Sequence, residues 1–141
     1  MATAPDLLNA VRERVDELAL RIDVPSHLLP TYGKSDDGAR PHIETDGDSF
    51  SYVIVERGIE LQRDSTTDID ELLYWIFRSV TFNMGVDFEL QHRSEEQDFR
   101  IILFRRQLEL LAALKPHWYR RYCSEKRERL DELGIAVDPS I

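Results

Sequence analysis

The chain has 141 residues, of which 42% are hydrophobic and 32% charged, with a formal net charge of −9 and one cysteine, Cys123. This length and balance predict one soluble domain, residues 1–141, that buries a core without disulfides, and the lone cysteine suits a reducing compartment, the cytoplasm. A single cysteine excludes a scaffold held by internal disulfides. No apolar run approaches the roughly 20 residues that span a bilayer. The N-terminus lacks the basic and apolar regions of a signal peptide.

The charges are divided along the chain. Residues 42–71 contain nine acidic residues and two arginines, whereas residues 99–130 contain nine Lys/Arg and three acids. An exposed acidic region repels nucleic acid and attracts a basic partner. Alternatively, the two regions fold against each other and cancel, and the sequence leaves both interpretations open.

The N-terminal part predicts one helix followed by a loop. Apolar residues recur at helical spacing over residues 5–23, with charged residues opposite them, which is typical of an amphipathic helix. Pro25 and Pro30 follow its end. Residues 24–41 are predicted to form a loop, and its glycine- and aspartate-rich half, 33–38, is expected to be exposed and mobile.

Residues 41–64 change to the two-residue period of β-strands. Asp46-Gly47 predicts a type I′ hairpin turn, and Arg57-Gly58 is a weaker signal for a second turn. The pattern therefore predicts a three-stranded antiparallel meander, with strands at about 41–45, 49–56 and 59–63.

The segment 67–93 is predicted to be the long central helix. Two adjacent apolar stripes run along it, so it needs cover from two directions, and a three-stranded sheet with one apolar face needs a helix over that face. Asp68 followed by Glu71 predicts a capping box at its start, with Thr67 as an alternative cap. The remaining side is predicted to face water and holds Glu71, Tyr74, Arg78, Gly85, Glu89 and His92.

Two C-terminal helices are predicted, at about 95–115 and 116–133. Ser94 with Gln97 indicates a capping box for the first helix, Pro116 is favourable in the first turn of the second, and Gly134 follows its end. The predicted fold class is therefore α+β: a three-stranded antiparallel meander packed on a central long helix, with an N-terminal helix and two C-terminal helices.

No catalytic or metal-binding motif accompanies this fold. The four histidines lack metal-site spacing on one helix, and Asp46-Gly47-Asp48 lacks the remaining ligands of a calcium loop. Cys123 lies on an apolar helical stripe, which favours a buried structural thiol over a nucleophile. We therefore expect no enzymatic activity, no cofactor and no metal.

The basic region 99–130 is the feature of the sequence that favours nucleic-acid binding. Its paired arginines alternate with aromatic residues, which can contact phosphates and stack on bases. The overall pI of about 4.9 argues against this, and arginines on amphipathic helices usually pair with neighbouring acids. A nucleic-acid-binding module is therefore the weaker alternative, and we expect neither a nucleic-acid nor a membrane partner.

Several short motifs occur in an order and spacing typical of one protein family. They are Glu56-Arg57-Gly58, residues 70–75, residues 87–90, Arg93, Asp98-Phe99-Arg100 and residues 107–111. Through these motifs, about half of the chain resembles one family of immunity proteins from bacterial polymorphic toxin systems, the family catalogued as number sixty-three. The resemblance implies a cytoplasmic, non-catalytic protein that binds and neutralises a cognate toxin domain. A non-enzymatic binding adaptor is the alternative, and the oligomeric state stays open.

Two sets of residues are candidates for roles in such a protein. Carboxylates in or beside the exposed segments are predicted to meet the Arg and Lys side chains of a basic toxin, or else only to keep turns solvated: Asp36, Asp37, Glu44, Asp46 and Asp48. Polar residues of the family motifs are predicted to form a buried or half-buried network that fixes the sheet on the central helix, rather than to contact the toxin: Glu56, Arg57, Tyr74, Glu89 and Arg93.

Overall fold

The computed structural model describes residues 4–141. The first three residues lie outside the described residues, and part of the signal-peptide argument rests on them. Residues 4–141 form five α-helices, one 3-10 turn at Ser26–Leu28 and four strands, which confirms the α+β class. The helices are α1 (Ala4–Arg21), α2 (Ile69–Gln91), α3 (Phe99–Leu114), α4 (Pro116–Glu125) and α5 (Arg127–Glu132). The strands are β1 (Thr31–Tyr32), β2 (His42–Asp46), β3 (Ser49–Glu56) and β4 (Ile59–Thr66).

The chain divides after Phe77 into two compact units. The first unit contains α1, the sheet and the start of α2, and the second unit contains the rest of α2 and helices α3 to α5. Whether these units behave as one domain over residues 1–141 stays a prediction.

The sheet has the order β1-β2-β3-β4 and is mixed. The three predicted strands are present and antiparallel, but β1 pairs in parallel with β2, through Thr31 opposite His42. The prediction of a purely antiparallel three-stranded sheet is therefore wrong. The reason is that β1 has two residues, too few to show a two-residue hydrophobic period.

The first hairpin turn differs from the predicted type I′, whereas the second turn has that type. Asp46 pairs with Ser49, so the first turn is Gly47-Asp48, with Gly47 at φ +62°. A glycine at the first central position is the requirement of a type II′ turn. Arg57 and Gly58 both have positive φ, +52° and +75°, as a type I′ turn requires. Arg57-Gly58, the weaker of the two turn signals in the sequence, is therefore the one that forms a type I′ turn.

The core of the first unit combines α1, the inner strands and the start of α2. Helix α1 lies beside β2, and Asp68 caps α2 as predicted, its carboxylate accepting a hydrogen bond from the Asp70 N–H at 2.9 Å. The buried side chains include Val11, Val15, Leu18, Ile43, Phe50, Tyr52, Val53, Leu72, Leu73, Tyr74, Ile76 and Phe77. This burial of both apolar stripes at the start of α2 fits its predicted central position.

The side of α2 predicted to face water is instead largely covered. Tyr74 and Glu89 are buried, and Gly85 is buried as well. A Cβ atom at Gly85 would lie 2.8 Å from the Leu103 carbonyl oxygen, so the missing side chain is what lets α3 approach α2 closely here. Glycine has no apolar side chain, so a hydrophobic pattern cannot reveal its burial. The sequence therefore placed Gly85 on the side of α2 that was predicted to face water.

The predicted limits of the C-terminal helices need two corrections. Helix α3 begins at Phe99, because the Asp98 carboxylate caps it by accepting from the Arg100 N–H at 2.9 Å. The Ser94 hydroxyl accepts only locally, from the Glu96 N–H. The final helix is interrupted at Lys126 and forms α4 and α5, although no proline or glycine marks the break.

Candidate functional site

The predicted partner-binding carboxylates lie at two different ends of the sheet. Asp46 precedes the turn between β2 and β3 and Asp48 is its second residue, whereas the segment holding Asp36 and Asp37 is hydrogen-bonded to the turn between β3 and β4. Strand β3 joins these turns with eight residues, a span of about 23 Å at roughly 3.3 Å per residue. The structure therefore does not bring the carboxylates into one cluster.

Asp37 and Ala39 form three hydrogen bonds with the β3–β4 hairpin, two to the turn and one to the end of β3. The Asp37 carbonyl accepts from the Arg57 N–H at 3.1 Å, and the Asp37 carboxylate accepts from the Gly58 N–H at 2.8 Å. The Ala39 N–H donates to the Val55 carbonyl at 3.1 Å. We call residues 36–39 with Arg57 and Gly58 the hairpin-tip cluster. The loop half that was expected to be mobile is thus anchored to the sheet.

Backbone strain is concentrated in the hairpin-tip cluster. Asp37, Ala39 and Arg57 adopt φ values of +64°, +63° and +52°, in the left-handed region that favours glycine. The left-handed conformation costs about 1–2 kcal/mol for a residue such as Ala39 or Arg57, and less for an aspartate. Strain of this kind persists where surrounding bonds fix the backbone and often accompanies function. The cluster therefore combines an unusual backbone conformation with hydrogen bonds that hold it to the end of the sheet.

The strain at Arg57 predicts a stabilising substitution. Arg57→Asn should raise the free energy of unfolding by about 0.5–1 kcal/mol, because asparagine adopts left-handed φ readily and Asn-Gly suits a type I′ turn. Urea unfolding followed by circular dichroism measures the change. Asp48→Asn is the matched control, since Asp48 occupies the other turn without a positive φ. An equal effect of both substitutions would contradict a strained Arg57.

The Glu44 carboxylate already contacts two side chains of its own sheet, His42 and Arg63. The carboxylate lies 2.7 Å from His42 Nε2 and receives hydrogen bonds from Arg63 at 3.3 and 3.4 Å, while Arg63 also bonds Glu60. Burial works to raise the pKa of Glu44, but the hydrogen bonds from His42 and Arg63 and their charges outweigh it, so the pKa is lowered. Glu44 therefore carries its charge at neutral pH, with part of it neutralised by Arg63.

The proposed polar network falls into separate places. Glu56 and Arg57 are exposed at the β3–β4 turn, so their predicted burial is wrong, because the tip of a two-residue turn projects beyond the sheet. Tyr74 is fully buried in the first unit. In the second unit the structure brings Glu89 and Arg93 together: Glu89 is 3% exposed and accepts two hydrogen bonds from the Arg93 guanidinium, at 2.9 and 3.1 Å.

At least four of the nine Lys/Arg residues in the basic region 99–130 form ion pairs with acids. Arg78 and Arg121 both contact Glu125, at 3.7 and 3.3 Å. Further pairs join Arg100 to Asp98, Arg106 to Glu109 and Arg129 to Glu132. Most of these pairs link neighbours along one helix, as expected for a solvated helix surface. This pairing reduces the positive field available to a phosphate backbone.

The metal-ligating side chains and the cysteine thiol within residues 4–141 bear on metal binding and catalysis. No group of three or more His, Cys, Asp or Glu residues in this range is placed to hold a metal ion. Cys123 is a free, buried thiol, and burial raises its pKa despite a hydrogen bond with Tyr119 that lowers it. A thiol with a raised pKa is mostly protonated at neutral pH and is a poor nucleophile.

The sequence pattern missed one surface feature, the exposed outer strand β4. Ile59 and Leu61 alternate with Glu60 and Gln62, which predicts one buried face. Instead, Ile59 is 64% and Leu61 58% exposed. No signal in the sequence distinguishes an outer strand of this kind from an inner one, because the two-residue period is the same.

The fold and this surface define a class: an α+β protein whose acidic sheet edge is exposed and whose described residues hold no metal cluster. A family model described as Immunity protein 63 matches residues 46–128, which are 83 of the 141 residues. The chain belongs to the immunity protein 63 family. No curated protein and no solved structure matches it. Across the described helices, none is both long and apolar enough to cross a membrane.

Proposed function

We propose that this protein binds and neutralises a cognate bacterial toxin domain, and that it does so without catalysis. The observation that carries the proposal is the match to the immunity protein family, which runs from the β2–β3 turn to α5. Blocking a toxin by binding requires a surface that is exposed, held in shape and complementary in charge. The exposed strand β4 and the acidic composition of the sheet region support the proposal.

The charge of the sheet region points to a basic toxin. Residues 42–71 contain nine acids against two arginines, and seven of the eight β4 residues are exposed. Of the predicted contact residues, Asp46 and Asp48 form no ion pair within the described residues, whereas Asp36 and Asp37 accept hydrogen bonds inside the hairpin-tip cluster. Exposed charges of this kind mainly speed the encounter and select the partner.

Co-expression in bacteria tests the function. The toxin domain encoded beside this chain's gene is induced alone or together with this protein, and colony formation is counted. We expect the toxin alone to kill and the pair to grow. Equal killing with and without this protein would exclude immunity to that toxin and favour an unrelated binding adaptor. A gel shift at low salt, where phosphate contacts are strongest, tests the nucleic-acid alternative.

A further inference from the structure

Strand β4 is the outermost strand of the sheet and is open along its whole length. It has eight residues, pairs only with β3 among the described strands, and exposes seven of its residues. An outer strand presents a row of backbone N–H and C=O groups that can pair with another chain. Strand β1, at the other edge, has only two residues. Strand β4 is therefore the longer free edge of this sheet.

Two large apolar side chains are exposed on β4. Ile59 follows the β3–β4 turn directly, and Leu61 has no residue opposite it, because Ile54 pairs with Gln62 and Val55 with Glu60. This bulge leaves Leu61 outside the regular pairing. Exposed apolar residues rimmed by charged ones mark interaction sites more often than plain surface does.

From these features we infer that β4 and the hairpin tip bind an extended, basic segment of the partner, which adds to the sheet as a further strand. We call residues 56–66 together with Asp36 and Asp37 the β4 surface. Its main-chain groups would supply affinity and its side chains specificity, the usual division in strand addition. The inference deepens the proposed function and rests on it.

Charge selects the kind of segment that fits. The β4 surface contains five acidic residues and two arginines, and Arg63 is already bonded to Glu60 and Glu44. A second copy of this chain, paired edge to edge, would bring two negative surfaces together. Like charges placed opposite each other oppose such pairing, whereas Lys or Arg side chains on an incoming strand would be attracted.

The hairpin-tip cluster prepares the surface for binding. Its three hydrogen bonds to residues 37 and 39 fix the β3–β4 turn that precedes Ile59. A surface that is already ordered loses little conformational entropy on binding. The family match also includes all of β4, since it spans residues 46–128. Most of the conformational entropy lost on binding is then lost by the extended partner segment.

Amide hydrogen exchange and matched variants test the inference, using the purified toxin domain encoded beside this chain's gene. We expect amides of Ile59–Thr66 to exchange more slowly in the complex than in the free protein. The double variant Ile59→Lys, Leu61→Lys should bind at least about tenfold more weakly, because two apolar anchors are lost and positive charge is added. Leu20→Lys is the control: Leu20 is 79% exposed on α1, and affinity should not change.

The outcomes separate this inference from the proposed function. If the native protein binds the toxin while β4 amides stay unprotected and the double variant binds normally, the β4 inference is wrong and the function stands. If the native protein does not bind the toxin, both fail. Protection of β4 amides in the free protein that grows with its concentration would assign the edge to a second copy and overturn the inference.

Discussion

Gly85→Ala should lower the free energy of unfolding by about 2 kcal/mol, against the direction that helix propensity predicts. In an exposed helix this substitution stabilises by about 1 kcal/mol. Here the new methyl group would lie 2.8 Å from the Leu103 carbonyl oxygen, an atom of a helix backbone that cannot rotate away. Overpacking of this kind typically costs about 1–3 kcal/mol, and separation of α3 from α2 would expose further apolar surface.

Urea unfolding of the purified variant measures this effect. The matched control is Asn83→Ala, at an exposed position of the same helix, where the propensity gain should appear without a clash. If Gly85→Ala stabilises the protein as much as Asn83→Ala does, then α3 does not approach α2 as closely as this packing requires.

Gln107→Leu should lower the free energy of unfolding by about 2–4 kcal/mol. Gln107 is completely buried, and its amide nitrogen donates to the Arg78 carbonyl at 3.0 Å and to the Thr81 hydroxyl at 3.3 Å. Its amide oxygen accepts from the Tyr122 hydroxyl at 2.7 Å. Leucine keeps the volume but removes every polar atom, and each buried group that loses its partner costs about 1–3 kcal/mol.

A double-mutant cycle with Tyr122→Phe tests this account of the network. Burial raises the pKa of Tyr122 to about 12, with the Gln107 hydrogen bond lowering it in part, so the hydroxyl stays protonated and donates. Alone, Tyr122→Phe should cost about 1 kcal/mol; in the Gln107→Leu background it should cost almost nothing or stabilise. Strictly additive effects would show that the two side chains are not coupled.

Local patterns predicted three of the four strands and the start of α2. The predicted limits of β3, 49–56, agree with the observed strand, and Asp68 marks the beginning of α2 because a carboxylate at that position satisfies a free backbone N–H. At the next helix two cap signals competed. The Asp98 carboxylate prevailed over Ser94, and the sequence alone does not rank them, since both have the chemistry of a cap.

The features that sequence patterns missed depend on contacts between distant residues. Gly85 is buried because α3 packs closely against α2 at this position. Strand β1 forms because Thr31 and Tyr32 pair with β2. In the candidate site, the acidic charge was readable from the sequence. The anchoring of Asp37 to Gly58 and the open edge at Ile59 were not, because both follow from how the loop and the sheet meet.

The most direct test of neutralisation is a titration with purified components. The toxin domain proposed as the partner is held at fixed concentration, its activity is measured, and this protein is added in increasing amounts. A non-catalytic blocker should abolish toxin activity at a fixed molar ratio, with weaker inhibition at high salt because exposed charges are screened. Toxin activity that is unchanged at a large excess of this protein would contradict neutralisation by binding.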